Sequence, residues 1–127
     1  MNAVDWNPEG SKLAASSDDG NIVVWEMPNG AEVLLVQAHT GAARTIKWSP
    51  NGRRLGSGGH DGTIKIRDAT TGEEVLALRA HNAQVFSIAW SPDGRRLASG
   101  SFDFTAKIWD ASRGYELESG SDVQAAR

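Results

Sequence analysis

Three histidines, a recurring aspartate and no cysteine bound the chemistry open to this 127-residue chain. Without cysteine there are no disulfides, no thiolate metal sites and no Cys nucleophile. His39, His60 and His81 are too scattered for a zinc set, which needs ligands at short fixed spacings. The pairs Asp19-Gly20 and Asp61-Gly62 lack the alternating acidic ligands and distal Glu of a calcium loop. Gly56-Ser57-Gly58-Gly59 is glycine-rich, but no Lys-Ser or Lys-Thr pair follows to complete a phosphate loop. Arg53-Arg54 and Arg95-Arg96 each follow a Pro-x-Gly turn and read as solvated hairpin tips. His39 and His81 stand at equivalent places in a repeat, which marks them as structural. His60, just before Asp61, reads as a solvated turn residue. No catalytic residue, metal site or cofactor is expected, and the chain reads as no enzyme.

The elements that position these residues come from that repeat. Trp6, Trp48 and Trp90 fall 42 residues apart, as do Pro8, Pro50 and Pro92, and Gly10, Gly52 and Gly94. Leu13, Leu55 and Leu97 keep the register, as do Asp19, Asp61 and Asp103, and Gly30, Gly72 and Gly114. The alignment has no gaps, which favours recent duplication of one unit. Repeats 1–42, 43–84 and 85–127 form a single repeat domain, with a polar tail from about residue 118. Within a period, Val85–Trp90 is β-branched and aromatic and ends at Ser91-Pro92-Asp93-Gly94, a type I turn pattern. Arg96–Ser101 predicts a second strand, and Phe102-Asp103-Phe104 a short turn. A third strand is expected at Ile22–Trp25, Thr63–Ile66 and Thr105–Trp109, and a fourth at Glu32–Gln37 and Glu74–Arg79. No stretch carries a useful helical period. The fold class is therefore all-β, with four antiparallel strands per repeat.

Composition narrows the partners. Hydrophobic residues make up 39% and charged residues 23%, a globular balance. The net charge is −3 with basic and acidic residues interleaved, so neither a nucleic-acid footprint nor a polybasic membrane patch is expected. No run approaches the roughly 18 apolar residues of a membrane span, and the first residues do not read as a signal peptide. A soluble, intracellular chain of the cytoplasm is the expectation.

The spaced motifs resemble the WD40 family. The period lies in that family's window, and its closing dipeptide stands at Trp109-Asp110, with Trp25-Glu26 and Arg67-Asp68 as variants. Ala38-His39 and Ala80-His81 take the place of the opening Gly-His. The resemblance covers residues 1 to about 117 and implies one β-propeller blade per repeat. It also implies a buried hydrogen-bonded set of His, hydroxyl, Asp and Trp. In the third copy this maps to His81, Asp103 and Trp109, with Ser99 or Ser101 as hydroxyl, since both lie on one strand face. The second copy offers His39, Ser57 and Asp61, with Arg67 in place of tryptophan. The first has Asp19 and Trp25 without histidine. By the same resemblance, the partner-binding face holds Arg44, Gln84 and Phe86 at the loop entering the first strand. Asp18, His60 and Phe102 lie on it before the structural Asp. These positions differ between copies while their surroundings repeat.

Propellers close with 4–8 blades. Three blades leave two apolar faces, and Trp6, Trp25, Ile88, Trp90 and Ile108 are not those of a polar cap. Residue 127 falls at the repeat phase of residue 1, so a head-to-tail second copy could continue the ring. A homodimer of six blades is favoured, and a homotrimer would give nine. Two features point elsewhere. Glu116–Ser121 is more polar than Glu74–Arg79, and Val123 stands where His39 and His81 do. The tail thus reads either as a disordered end or as the mark of a fragment. The expected function is a non-catalytic scaffold binding a protein or peptide and closing its ring by self-assembly. The alternative is a fragment of a larger, recently amplified or engineered propeller, with no function beyond folding and assembly.

Overall fold

The computed structural model describes residues 2–111 and the backbone of 116–119. The described residues form three four-stranded sheets and no helix. The first holds β1 (Ala3–Trp6), β2 (Lys12–Ser16), β3 (Asn21–Glu26) and β4 (Ala31–Gln37). The second holds β5 (Ala43–Trp48), β6 (Arg54–Gly59), β7 (Thr63–Asp68) and β8 (Glu74–Arg79). The third holds β9 (Val85–Trp90), β10 (Arg96–Ser101), β11 (Ala106–Asp110) and β12 (Glu116–Ser119). Strands pair antiparallel in chain order within each sheet. The tail expected from about residue 118 begins inside β12, and residues 120–127 lie outside the described residues.

The turns form where the sequence places Pro-x-Gly. Gly52 and Gly94 donate their amides to the Ser49 and Ser91 carbonyls, each at 2.9 Å. Asn51 and Asp93 hold the same turns by accepting from the amides of Arg53 and Arg95. Such side-chain acceptors fix a turn before any tertiary contact exists.

Each sheet buries a face against the next. Ile22 and Val24 of the first sheet pack with Ile46, Trp48 and Leu55 of the second, and all are at most 6% exposed. The other face of the second sheet offers Ile64, Ile66 and Leu78 to Val85, Ile88, Leu97 and Trp109 of the third. Full burial of one such side chain contributes about 1.5–3 kcal/mol, so the two seams carry most of the stability. Close approach needs small residues on the second strands. A Cβ on Gly58 would lie 2.6 Å from Val85 Cγ1 and 2.9 Å from Thr45 Cγ2. The first strands β1, β5 and β9 stand side by side, tied by two indoles. Trp48 donates to the Asp5 carbonyl at 3.0 Å, and Trp90 to the Lys47 carbonyl at 3.1 Å.

Candidate functional site

Two kinds of polar constellation emerge, one buried within sheets and one open between them. In the third sheet the His81 side chain is fully buried. Its Nε2 lies 2.8 Å from Ser99 Oγ, which also accepts from the Trp109 indole at 3.1 Å. Its Nδ1 lies 3.0 Å from both Asp103 Oδ2 and Thr105 Oγ1. Ser99 is thus the network hydroxyl. Ser101 serves elsewhere, donating toward the Ala83 and Gln84 carbonyls and so holding the chain that enters β9. Burial works against ionisation of Asp103. The Thr105 hydroxyl, the His81 ring and the Thr105 and Asn82 amides outweigh it and hold this carboxyl well below the usual range.

The second sheet repeats the pattern with one break. His39 bridges Ser57 at 2.8 Å and reaches Asp61 and Thr63 with its other ring nitrogen. Burial pushes the His39 pKa down, and the Asp61 charge only partly restores it. Asp61 is lowered as well, because the Thr63 hydroxyl and amide, His39 and the Thr40 amide overcome its own burial. Arg67 fills the tryptophan's place, buried at 8% exposure, and turns its Nη1 to the Gly72 carbonyl. Its Nε finds no acceptor among the described residues.

The first sheet departs from expectation. Asp19 binds within its own turn, to the Ser17 hydroxyl and to Asn21, and these bonds lower its pKa. Trp25 is half-buried, and no hydrogen bond joins it to Asp19. The residue at the place of Ser57 and Ser99 is Ala15, so the bridging hydroxyl is missing along with the histidine. Thr63 and Thr105 belong to the other two networks although the motifs did not single them out. Their 42-residue spacing was the signal that could have found them.

The open constellation lies at the entry to the first strands. Arg44, Gln84, Phe86 and Phe102 line one cavity of about 400 Å³, joined by Asn2. The Phe86 and Phe102 rings stack at a 5.0 Å centroid distance, tilted by 36°. They remain 48% and 55% exposed. Gly100 lies under the Phe86 ring, where an added Cβ would sit 3.4 Å from Cζ. Arg44 Nε donates to Gln84 Oε1 at 2.8 Å, and no carboxylate among the described residues pairs with its guanidinium. Asn2 stands at the repeat position of Arg44 and Phe86 and donates to the Ala43 carbonyl. Sequence reasoning missed it, although repeat spacing points to it. Asp18 and His60 do not line this cavity; both are exposed, and His60 lies against Gly41. The arrangement offers an apolar aromatic shelf beside one cation, suited to binding rather than bond-breaking.

Comparisons with known proteins agree on the fold. The family model described as WD domain, G-beta repeat matches residues 1–26 and 72–110. A second, the anaphase-promoting complex subunit 4 WD40 domain, matches residues 29–88. No curated protein matches the chain in sequence. A solved structure titled "Structure of U3-55K" is similar over 93% of the chain, with a TM-score of 0.89 and 20% identity. The chain spans 38% of that structure's length. At that identity the likeness is one of fold.

Proposed function

The chain belongs to the WD40-repeat family, and from that membership we propose a non-catalytic scaffold that captures a protein or peptide on its Phe86–Phe102 shelf. Members of this family generally mediate protein–protein interaction. The observation that carries the reading is the convergence of Arg44, Gln84, Phe86 and Phe102 around one cavity. An exposed aromatic pair beside an arginine free of carboxylates suits a segment with an apolar side chain next to an acidic one. The buried histidines support a non-catalytic role, because their ring nitrogens are engaged with Ser57, Ser99, Asp61 and Asp103.

The same proposal includes ring closure by a second copy, giving six blades, with a nine-bladed trimer as the other stoichiometry. It assigns the chain a soluble, cytoplasmic setting without nucleic-acid or membrane partners, in keeping with its net charge of −3. The gapless register supports an origin by blade duplication. A second reading, favoured by the 38% coverage, makes these blades a section of a larger propeller whose only part is to fold and assemble.

Selection from a random peptide library tests the shelf. The wild-type chain should enrich peptides carrying an acidic residue beside an apolar one. The combined Arg44→Ala, Phe86→Ala, Phe102→Ala variant should bind them at least about thirtyfold more weakly, as loss of central aromatic and arginine anchors implies. Undiminished binding by that variant overturns the assignment.

A further inference from the structure

The two seams between sheets follow one template. Each sheet presents a leading face, with Ile46, Trp48 and Leu55 in the second and Ile88, Trp90 and Leu97 in the third. Each seats on the trailing face before it, made of Ala14, Ile22 and Val24 or of Gly56, Ile64 and Ile66. Within the seams Ile46 is 0%, Trp48 6% and Ile88 2% exposed. The first sheet carries the same leading positions, yet Val4 is 60% and Trp6 52% exposed. The third sheet carries the same trailing positions as Ala98, Ala106 and Ile108. Ala98 is exposed, and it lies with Ala89 and Ile108 in a cleft that Ser91, Arg96 and the half-buried Trp90 of the leading face also line. Among the described residues, one leading face and one trailing face are therefore open, and they complement each other by the template that builds the interior.

The indole hydrogen bonds extend the series. Trp48 donates to the Asp5 carbonyl and Trp90 to the Lys47 carbonyl, donor and acceptor each shifted by one period. The remaining donor in this series is Trp6, and the remaining acceptor is the Ala89 carbonyl. Ala98 matches Ala14, which shares the buried cluster of the first seam with Trp48, and Gly56, beside which the Trp90 ring lies, so the third sheet offers the tryptophan a small residue at the same position.

We infer that the leading face of one copy docks on the trailing face of a second. Trp6 lies over Ala98 and Ile108 there and donates its indole N–H to the Ala89 carbonyl. This inference rests on the self-closing part of the proposed function and identifies its anchor. The contact is heterologous, because the two faces that meet differ.

Sedimentation velocity across a micromolar concentration series tests it. The wild-type chain should sediment as a discrete dimer or trimer. Trp6→Ala and Ile108→Arg should each weaken association by about thirtyfold or more, the scale expected for a central aromatic anchor. Circular dichroism should show both variants folded, since both side chains lie at open faces. An equimolar mixture of the two variants retains one intact pair of faces and should recover a two-chain species. A monomeric wild-type chain overturns both this inference and the self-closing reading. An assembly indifferent to Trp6→Ala and Ile108→Arg, or a mixture that recovers nothing, overturns the inference alone.

Discussion

Arg67→Trp should stabilise the second sheet, and the structure sets the size of the effect. Arg67 is 8% exposed, and its Nε finds no acceptor among the described residues. A buried donor left unpaired costs about 1–3 kcal/mol. What the arginine gains in return is mainly its Nη1 bond to the Gly72 carbonyl, about 1.5 kcal/mol, which the indole would give up. Its contact with Glu74 is 3.4 Å long, the Glu74 side chain is 41% exposed, and Lys65 reaches the same oxygen at 3.3 Å. Such a surface pair contributes about 0–1 kcal/mol, and Glu74 would keep its lysine. An indole here would match Trp109, which donates to Ser99, and would donate to Ser57 for about 1 kcal/mol more. The net gain is about 1 kcal/mol. For a chain of this length that raises Tm by roughly 3–5 °C, measurable by differential scanning calorimetry. Arg67→Met separates the two contributions, because it removes the unpaired Nε without supplying an indole. Ser57→Ala should then cost more in the Arg67→Trp background than in the wild type. A lower Tm for Arg67→Trp, or equal costs of Ser57→Ala in both backgrounds, would refute the reasoning.

Three further outcomes follow from the same geometry. Ser99→Ala strands both the Trp109 indole and His81 Nε2, so the urea midpoint should drop by the equivalent of about 2–3 kcal/mol, whereas a drop below about 0.5 kcal/mol would contradict the network. Acidification should act in two stages. The folded pKa of His39 lies below its ordinary 6.5, so the unfolded chain binds the extra proton first, and stability falls as pH drops below about 6.5. Asp61 and Asp103 lie below their ordinary 3.8, so their contribution, present above about pH 3.8, is lost as pH falls through the folded values. Urea midpoints that stay level between pH 7 and 3 would contradict both assignments. Finally, Gly62 has φ +80° with the His81 carbonyl 2.4 Å from an added Cβ, so Gly62→Ala should lose about 2 kcal/mol or more. Phe104 holds the matching turn position at φ 68° and is 87% exposed, so Phe104→Gly should instead gain up to about 1 kcal/mol in thermal melts.

Much of the fold is written locally. The alternation of Val85–Trp90 and the Ser91-Pro92-Asp93-Gly94 turn need only near neighbours, and β9 and its turn appear where those residues place them. The repeat then copies the result twice, and the family resemblance implied the pairing of His39 and His81 with Asp61 and Asp103. Local pattern failed where one face offered two equal candidates. Ser99 and Ser101 share a strand parity, but the register of β9 and β10 shifts between Gly100 and Ser101. That bulge turns Ser101 toward the Gln84 carbonyl and leaves Ser99 to His81. The first sheet failed for another reason. Asp19 and Trp25 keep the spacing of a network, yet with Ala15 and no histidine between them nothing bridges the gap.

By itself the sequence determined the blade, because strands and tight turns are set by alternation and by residues two to four positions apart. Only the tertiary structure decided which polar groups meet. Arg44 and Phe102 lie 58 residues apart, and Asn2 farther still, yet they share one cavity because neighbouring sheets bring their first strands together. Likewise Trp6 and Trp48 are equal in the repeat, and burial alone separates them, since a side chain's exposure depends on what is packed against its sheet.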